Sequence, residues 1–371
     1  MKTLLKTSSR DAEDKKRAAM EHLLAGKQLR FWITASRTRS LGQSLTAYAL
    51  GSITALGALA QRWHDPAAPA ALAMGLVLAV VGLAGVAAAH CGLNLFDDYF
   101  DATGGAVKRR EELLDGGFRA RLGKCAYLKD GSVTLADTRR VALLFIGVAL
   151  ALGMAVLAVR GWGVLLFAGV ALMLGLAYAG PPLRLSYRGL GELVVGAIFG
   201  PLLVGAAYFV TAGHLSSAVW WTAVPMGLLV ANILNTHAIM DFEPDQAAGR
   251  TTFALLLGSK RAAFWASMAM VAAACLCVVV GVLLKALPLA SLSIVATVPL
   301  CAVFARQLRA YVEGRETDFE PQWWMGPLRN WERIRQRGLA WFMARWMLAR
   351  NLAMATAFLL AVSSLTPWRL P

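Results

Sequence analysis

Residues 71–101 read ALAMGLVLAVVGLAGVAAAHCGLNLFDDYFD: uncharged from 71 through 96, then Asp97, Asp98 and Asp101. An apolar run of this length exceeds the roughly 20 residues a helix needs to cross a bilayer. It lacks the alternation of a barrel strand, and a segment in lipid must satisfy its own backbone hydrogen bonds, so it reads as a transmembrane helix. The aspartates mark where that helix leaves the hydrocarbon.

The pattern recurs. With 58% hydrophobic residues and a mean hydropathy of +0.56, the 371-residue chain is too apolar for an ordinary soluble protein. Candidate spans fall at 42–60, 71–96, 139–159, 162–179, 190–212, 217–240, 262–284, 287–305 and 349–366. The expectation is an all-α membrane protein of about nine transmembrane helices: a basic cytoplasmic segment at 1–40, then a helical domain at 41–371 with long cytoplasmic loops at 97–138 and 306–348. The first 40 residues carry no short apolar core with a cleavage site, so no signal peptide is expected. If the N-terminus is cytoplasmic, every Lys and Arg of the 37 falls on the cytoplasmic side except Arg62, Arg160, Lys285 and Arg369. The net charge of +15 then reflects topology and attraction to anionic membrane lipid, and no nucleic acid partner is needed. The integral, multi-pass chain is placed in a plasma membrane of bacterial type. Its five cysteines lack zinc-site spacing and read as small core residues.

Polar chemistry gathers at a few places. Helical spacing puts Asn94, Asp97, Asp98 and Asp101 on a shared face. Carboxylates so close repel one another unless a cation joins them. Oxygen-only ligands suit Mg2+, which commonly bridges one or two carboxylates to substrate phosphates. A second cluster, Asp241, Glu243 and Asp245, follows the sixth span, with Arg250 beyond it and Pro244 a threat to helical geometry. Spans two and six run in the same direction, so both clusters end on one membrane face. Between them, residues 178–192 (YAGPPLRLSYRGLGE) read as a turn carrying Arg184 and Arg188, either topology-setting charges or diphosphate ligands. The segment 306–348, with Trp323, Trp324, Trp331, Trp341 and Trp346 among arginines, suits a helix at the headgroup boundary. His90 reads as a hydrogen-bonded helix contact, and His237, one turn before Asp241, faces the second cluster.

Four segments in order resemble the UbiA superfamily of intramembrane aromatic prenyltransferases, and within it the 1,4-dihydroxy-2-naphthoate polyprenyltransferases of menaquinone synthesis. They are Phe31 to Arg37, Asn94 to Asp101, Tyr178 to Glu192, and Asp241 to Thr251. The resemblance covers roughly residues 30 to 305. It implies a UbiA-like bundle around a central cavity, Mg2+ as cofactor, and a polyprenyl diphosphate and an aromatic acceptor as substrates. It puts Asn94, Asp98, Asp101, Asp241 and Asp245 at the diphosphate–metal positions and Arg250 near the diphosphate. Asp97 stands where Asn is commoner, His237 where the naphthoate branch has Asn, and Gly104 and Gly105 where a further aspartate is frequent. Asp97 becomes another possible metal ligand, and Lys108, Arg109, Arg121 and Lys124 are candidates to cap the diphosphate. For Tyr178 and Tyr187, packing and acceptor orientation both stand open. The rivals are weaker. Asp97 to Asp101 fits the DDxxD pattern of chain-elongating synthases, which resemble soluble proteins; a secondary transporter would place its acids nearer the bilayer midplane.

Overall fold

A computed structural model describes residues 28, 30–62, 64–104, 108, 112, 126–129, 133–315, 317–328 and 330–366, with no β-strand among them. Nine principal helices can be traced among these residues: α1 (Leu41–Ala60), α2 (Ala68–Thr103), α3 (Leu135–Arg160), α4 (Gly163–Ala179), α5 (Gly191–Ala212), α6 (Trp220–Met240), α7 (Lys260–Leu283), α8 (Val298–Val312) and α9 (Ala340–Ser363). By length and composition seven of them can cross a membrane, α6 counted from Ser217 and α8 from Leu289, against the nine spans expected. Of the remaining two, α4 is apolar but only 17 residues long, and α1 has 20 but carries Gln43, Ser44, Thr46, Ser52 and Thr54.

Local chemistry sets several boundaries. Thr134 and Asp137 form a reciprocal capping box that starts α3. At the other end of α3, Arg160 donates to the carbonyls of Val210 and Thr211, both at 2.7 Å, covering acceptors left open at the C-terminus of α5. Within α5, Pro201 cannot donate to the preceding turn, and residues Ile198–Leu202 widen into a π-turn.

Helix α6 is the centre of the bundle: 67% of its apolar window is buried, against 17% for α2 and 11% for α3, whose outer faces are left for lipid. It packs on α5, α7 and α9. The α5–α6 contact is backbone to backbone, since a Cβ added at Gly227 would lie 2.5 Å from the Gly196 carbonyl oxygen. One added at Gly200 would lie 2.5 Å from the Ala223 carbonyl oxygen. Small residues at such a crossing allow the close packing that substitutes for a hydrophobic driving force inside lipid.

The long loops are partly helical. Helix α2 continues through the first acidic cluster to Thr103, so all its aspartates are helical. In 306–348, α8 runs to Val312 and α9 starts at Ala340, leaving short turns at Trp323–Met325 and Trp331–Gln336 rather than one surface helix. The connector folds back along α9: Asn351 donates to the Met325 carbonyl and Arg350 to that of Pro327, each at 2.8 Å. Trp324 lies in a groove of about 440 Å3 with Thr297, Leu300, Phe358 and Leu359. Trp341, Arg345 and Trp346, expected at a surface, belong to α9. Arg345 is buried because its guanidinium donates to the carbonyls of Gln307 and Trp341 and stacks on Tyr311.

Candidate active site

The last turns of α2 are an unfavourable place for anions. Helix C-terminal carbonyls are unsatisfied and form the negative end of the helix dipole. Three aspartates there add to that potential, and Asp98 is only 1% exposed. Neighbouring groups compensate. The Arg37 Nη2 lies 2.8 Å from Asp97 Oδ2, 3.0 Å from Asp98 Oδ1 and 2.8 Å from the main-chain oxygen of Asn94. The Tyr127 hydroxyl donates to Asp98 Oδ2 at 3.2 Å, under an aromatic cover of Phe31 and Trp32. The side chain of Asn94 donates to the Ser36 carbonyl and the Ser40 hydroxyl, which latches the entry of α1 onto α2. One turn earlier, His90 contacts Ser40 and Ser44, as expected of a hydrogen-bonded helix contact.

At the second cluster α6 ends at Met240. Asp241 turns the chain (φ −98°, ψ 18°) into a short helix, Phe242–Ala247, in which Pro244 occupies the first turn, where no donor is required of it. The break preserves the spacing, since the Asp245 amide still donates to the Asp241 carbonyl at 2.8 Å. Both carboxylates are 5% exposed. His237 Nε2 is 3.2 Å from Asp241 Oδ2, so it reaches the second cluster as its helical position predicts. The Tyr311 hydroxyl donates to the Met240 carbonyl at 3.0 Å, while its ring contacts Lys260 and Arg345 and stacks on Trp341.

The turn after α4 joins the two clusters. Backbone bonds from Gly189 to Thr251 (2.9 Å) and from Thr251 to Tyr187 (3.3 Å) hold the 185–190 segment against the 249–252 segment. Tyr187 is thereby placed with its hydroxyl donating to Asp101 Oδ1 at 3.0 Å and its ring 4.9 Å from the Arg250 guanidinium. Arg250 Nη1 is 3.8 Å from Asp245 Oδ1. Burial works against the charge of Arg250, but Asp245, Tyr178, Tyr187 and Asp101 more than offset it, and its pKa is raised. Glu192 is buried at the start of α5, close to Phe253, Arg250 and Asp245.

Not every candidate converges. Arg188 is exposed and donates to the Pro182 carbonyl at 3.3 Å. Arg184 is exposed too, with its guanidinium beside Gly104 at the end of α2. Lys108 is exposed, and Arg109, Arg121 and Lys124 lie outside the described residues. Arg37 was legible only as a topology charge within the Phe31–Arg37 segment. For Tyr127 and Tyr311 no local signal exists, because their partners are more than 25 positions away.

These residues fit a hard divalent cation. The donors are oxygens, and Asp98, Asp241 and Asp245 are buried carboxylates that require positive charge nearby. Among the described residues no group of three or more His, Cys, Asp or Glu is placed to hold a metal ion by itself. Mg2+ takes one or two carboxylates and fills its remaining positions with water and phosphate oxygens.

The chain is similar in sequence and fold to several known proteins. Over 287 residues the chain is 29% identical to the 2-carboxy-1,4-naphthoquinone phytyltransferase of Synechocystis, covering 76% of this chain and 83% of that protein. It is also 29% identical over 169 residues to the 1,4-dihydroxy-2-naphthoate octaprenyltransferase of Bacillus subtilis, covering 46% of this chain and about half (51%) of that enzyme. A UbiA homologue from Archaeoglobus fulgidus solved with GPP and Mg2+ shares the fold at a TM-score of 0.52 and 14% identity, over 89% of this chain and 99% of that one. A digeranylgeranylglyceryl phosphate synthase aligns with a TM-score of 0.55 at 11% identity, over 91% and 99% of the two chains. The model of the UbiA prenyltransferase family matches residues 49–325, three quarters of the length and both acidic clusters included, and the chain belongs to that family.

Proposed function

We propose that this protein transfers an isoprenyl group from a polyprenyl diphosphate to an aromatic acceptor, 1,4-dihydroxy-2-naphthoate, in a Mg2+-dependent reaction of menaquinone synthesis. The observation that carries the reading is the contact chain Asp101–Tyr187–Arg250–Asp245, which ties two acidic clusters on separate helices into one site. Charge of both signs at one end of an apolar bundle suits an amphiphile with a diphosphate head. The acceptor rests on the two relatives whose names specify naphthoate-type substrates.

Breaking the allylic carbon–oxygen bond sends the electron pair to the diphosphate and leaves a carbocation on the isoprenyl group. Mg2+ supplies, when bound, the positive charge that neutralises the leaving phosphate oxygens. Asp98 and Asp101, with Asp97 and Asn94 assisting, would hold one ion, and Asp241 and Asp245 another. Arg250, kept protonated by its neighbours, offers a planar fork to phosphate. Arg184 stands at the end of α2 within the same region. The apolar bundle keeps water from the cation, and an electron-rich ring carbon of the acceptor attacks it. Loss of carbon dioxide from the naphthoate then restores aromaticity.

The test is incubation of purified protein with one polyprenyl diphosphate and a panel of acceptors, with products identified by mass spectrometry. A decarboxylated prenyl naphthoquinol is the expected product; transfer only to hydroxybenzoate, homogentisate, a tetrapyrrole or a glycerol phosphate lipid would replace the acceptor. Asp98→Ala and Asp241→Ala are each expected to lower turnover by at least about 100-fold, with helical content retained by circular dichroism. Activity near the parent level in either variant would refute the two-cluster site.

A further inference from the structure

Arg37 occupies an unusual position. A single nitrogen, Nη2, is approached by three oxygens at 2.8–3.0 Å: Asp97 Oδ2, Asp98 Oδ1 and the Asn94 carbonyl. An sp2 nitrogen of this kind carries two hydrogens, so three acceptors share two donors. The third contact is held by charge rather than by a hydrogen bond of its own. Three oxygens converging on one point, two of them anionic, at the negative end of a 36-residue helix describe a cation site.

The backbone is arranged to deliver the guanidinium there. Arg37 has left-handed dihedrals (φ 56°, ψ 43°), which cost a non-glycine residue on the order of 1 kcal/mol. They are held by the Ser40 amide donating to the Arg37 carbonyl at 2.8 Å and by the bond from Asn94 to the Ser36 carbonyl at 2.9 Å. The Arg37 side chain is 35% exposed, although its Nε is buried, while Asp98 is 1% exposed, so the arginine is the partner nearer solvent.

We propose that Arg37 is a built-in counter-ion of the first acidic cluster, occupying the position that a divalent cation takes and exchanging with it. The inference rests on the metal reading given above. A Mg2+ ion with oxygens at about 2.0–2.1 Å and an arginine nitrogen cannot share the same three oxygens. Binding of the ion therefore displaces Nη2, and the measured metal affinity is the intrinsic affinity reduced by the strength of the Arg37 latch. In the metal-free protein the latch prevents mutual repulsion of the aspartates from loosening the end of α2.

The experiment uses full-length protein in nanodiscs, without substrate, in an Asp241→Asn, Asp245→Asn background that removes both carboxylates of the second cluster. Mn2+ binding is followed by electron paramagnetic resonance, and thermal unfolding is recorded with and without saturating Mg2+. In Arg37→Gln, Mn2+ is expected to bind about tenfold more tightly, the loss of a competitor worth some 1.4 kcal/mol. The melting temperature falls without metal, and saturating Mg2+ closes the gap to the parent. Arg37→Lys, which keeps a positive donor, is expected to restore parental affinity. The proposal is overturned if Arg37→Gln binds Mn2+ no more tightly, or if its melting deficit is the same with saturating Mg2+, since Arg37 would then be a fixed structural partner. Absence of Mn2+ binding in both proteins would instead overturn the assignment of metal to the first cluster, and the exchange with it.

Discussion

At the scale of single residues, Tyr187 links the two halves of the site: its hydroxyl serves Asp101 and its ring face serves Arg250. Tyr187→Phe keeps the ring and removes one hydrogen bond to a charged acceptor, worth about 1.5 kcal/mol or more. A fall in kcat/KM for the diphosphate of roughly tenfold is expected, with the melting temperature within a few degrees of the parent. An unchanged kcat/KM in steady-state assays would remove Tyr187 from the site. The sequence pointed to Asp97, Asp98, Asp101, Asp241 and Asp245 because carboxylates at helical spacing beside apolar spans are rare and costly, and to Arg250 through the family resemblance. It could not point to Arg37 in the same way. One arginine among many basic residues has no local mark, and its role comes from α1 and α2 meeting 57 or more positions apart in the chain.

At the scale of elements, the bundle depends on how closely α5 approaches α6. Gly227→Val puts new carbon atoms where the Gly196 carbonyl oxygen already stands and must push the helices apart. Overpacking of this kind is expected to cost about 2–3 kcal/mol, read as a lower melting temperature in detergent. Because α6 ends at Asp241 and α5 begins beside Glu192, activity should fall further than stability alone explains. Apolar run length located all these helices, but their ends were less accessible. The apolar run begins this last span at 349, which leaves out Arg345. The folded chain starts it at Ala340, because Tyr311, Gln307 and Trp341 satisfy the Arg345 guanidinium. Conversely, Pro244 seemed a hazard to the second cluster, and it is harmless because the chain turns at Asp241 and Pro244 falls in the first turn of a new helix.

For the whole molecule, the contacts that join Asp101 to Asp245 place the ends of α2 and α6 together, so both clusters face one side of the membrane. We propose that this is the cytoplasmic side, from the asymmetry of Lys and Arg. In a variant lacking the five native cysteines, a cysteine at Thr103 should react with a membrane-impermeant maleimide only when the inner face is accessible. One at His214, beyond the opposite end of α5, should react only from outside. Labelling of both positions from the same face would reverse the topology. Neither residue bears on the chemistry, so orientation is read independently of activity.

Class, helical character and the location of the acidic chemistry were set by the sequence alone, since hydrophobic length and charge are properties of contiguous residues that a bilayer reads directly. Tertiary structure decided which of those charges meet. The pairing of Arg37 with Asp97 and Asp98, the bridging place of Tyr187 and the burial of Arg345 each require segments distant in the chain to pack side by side. The physical reason is that a Coulomb interaction or hydrogen bond depends on separation in space, and separation along the chain does not determine it.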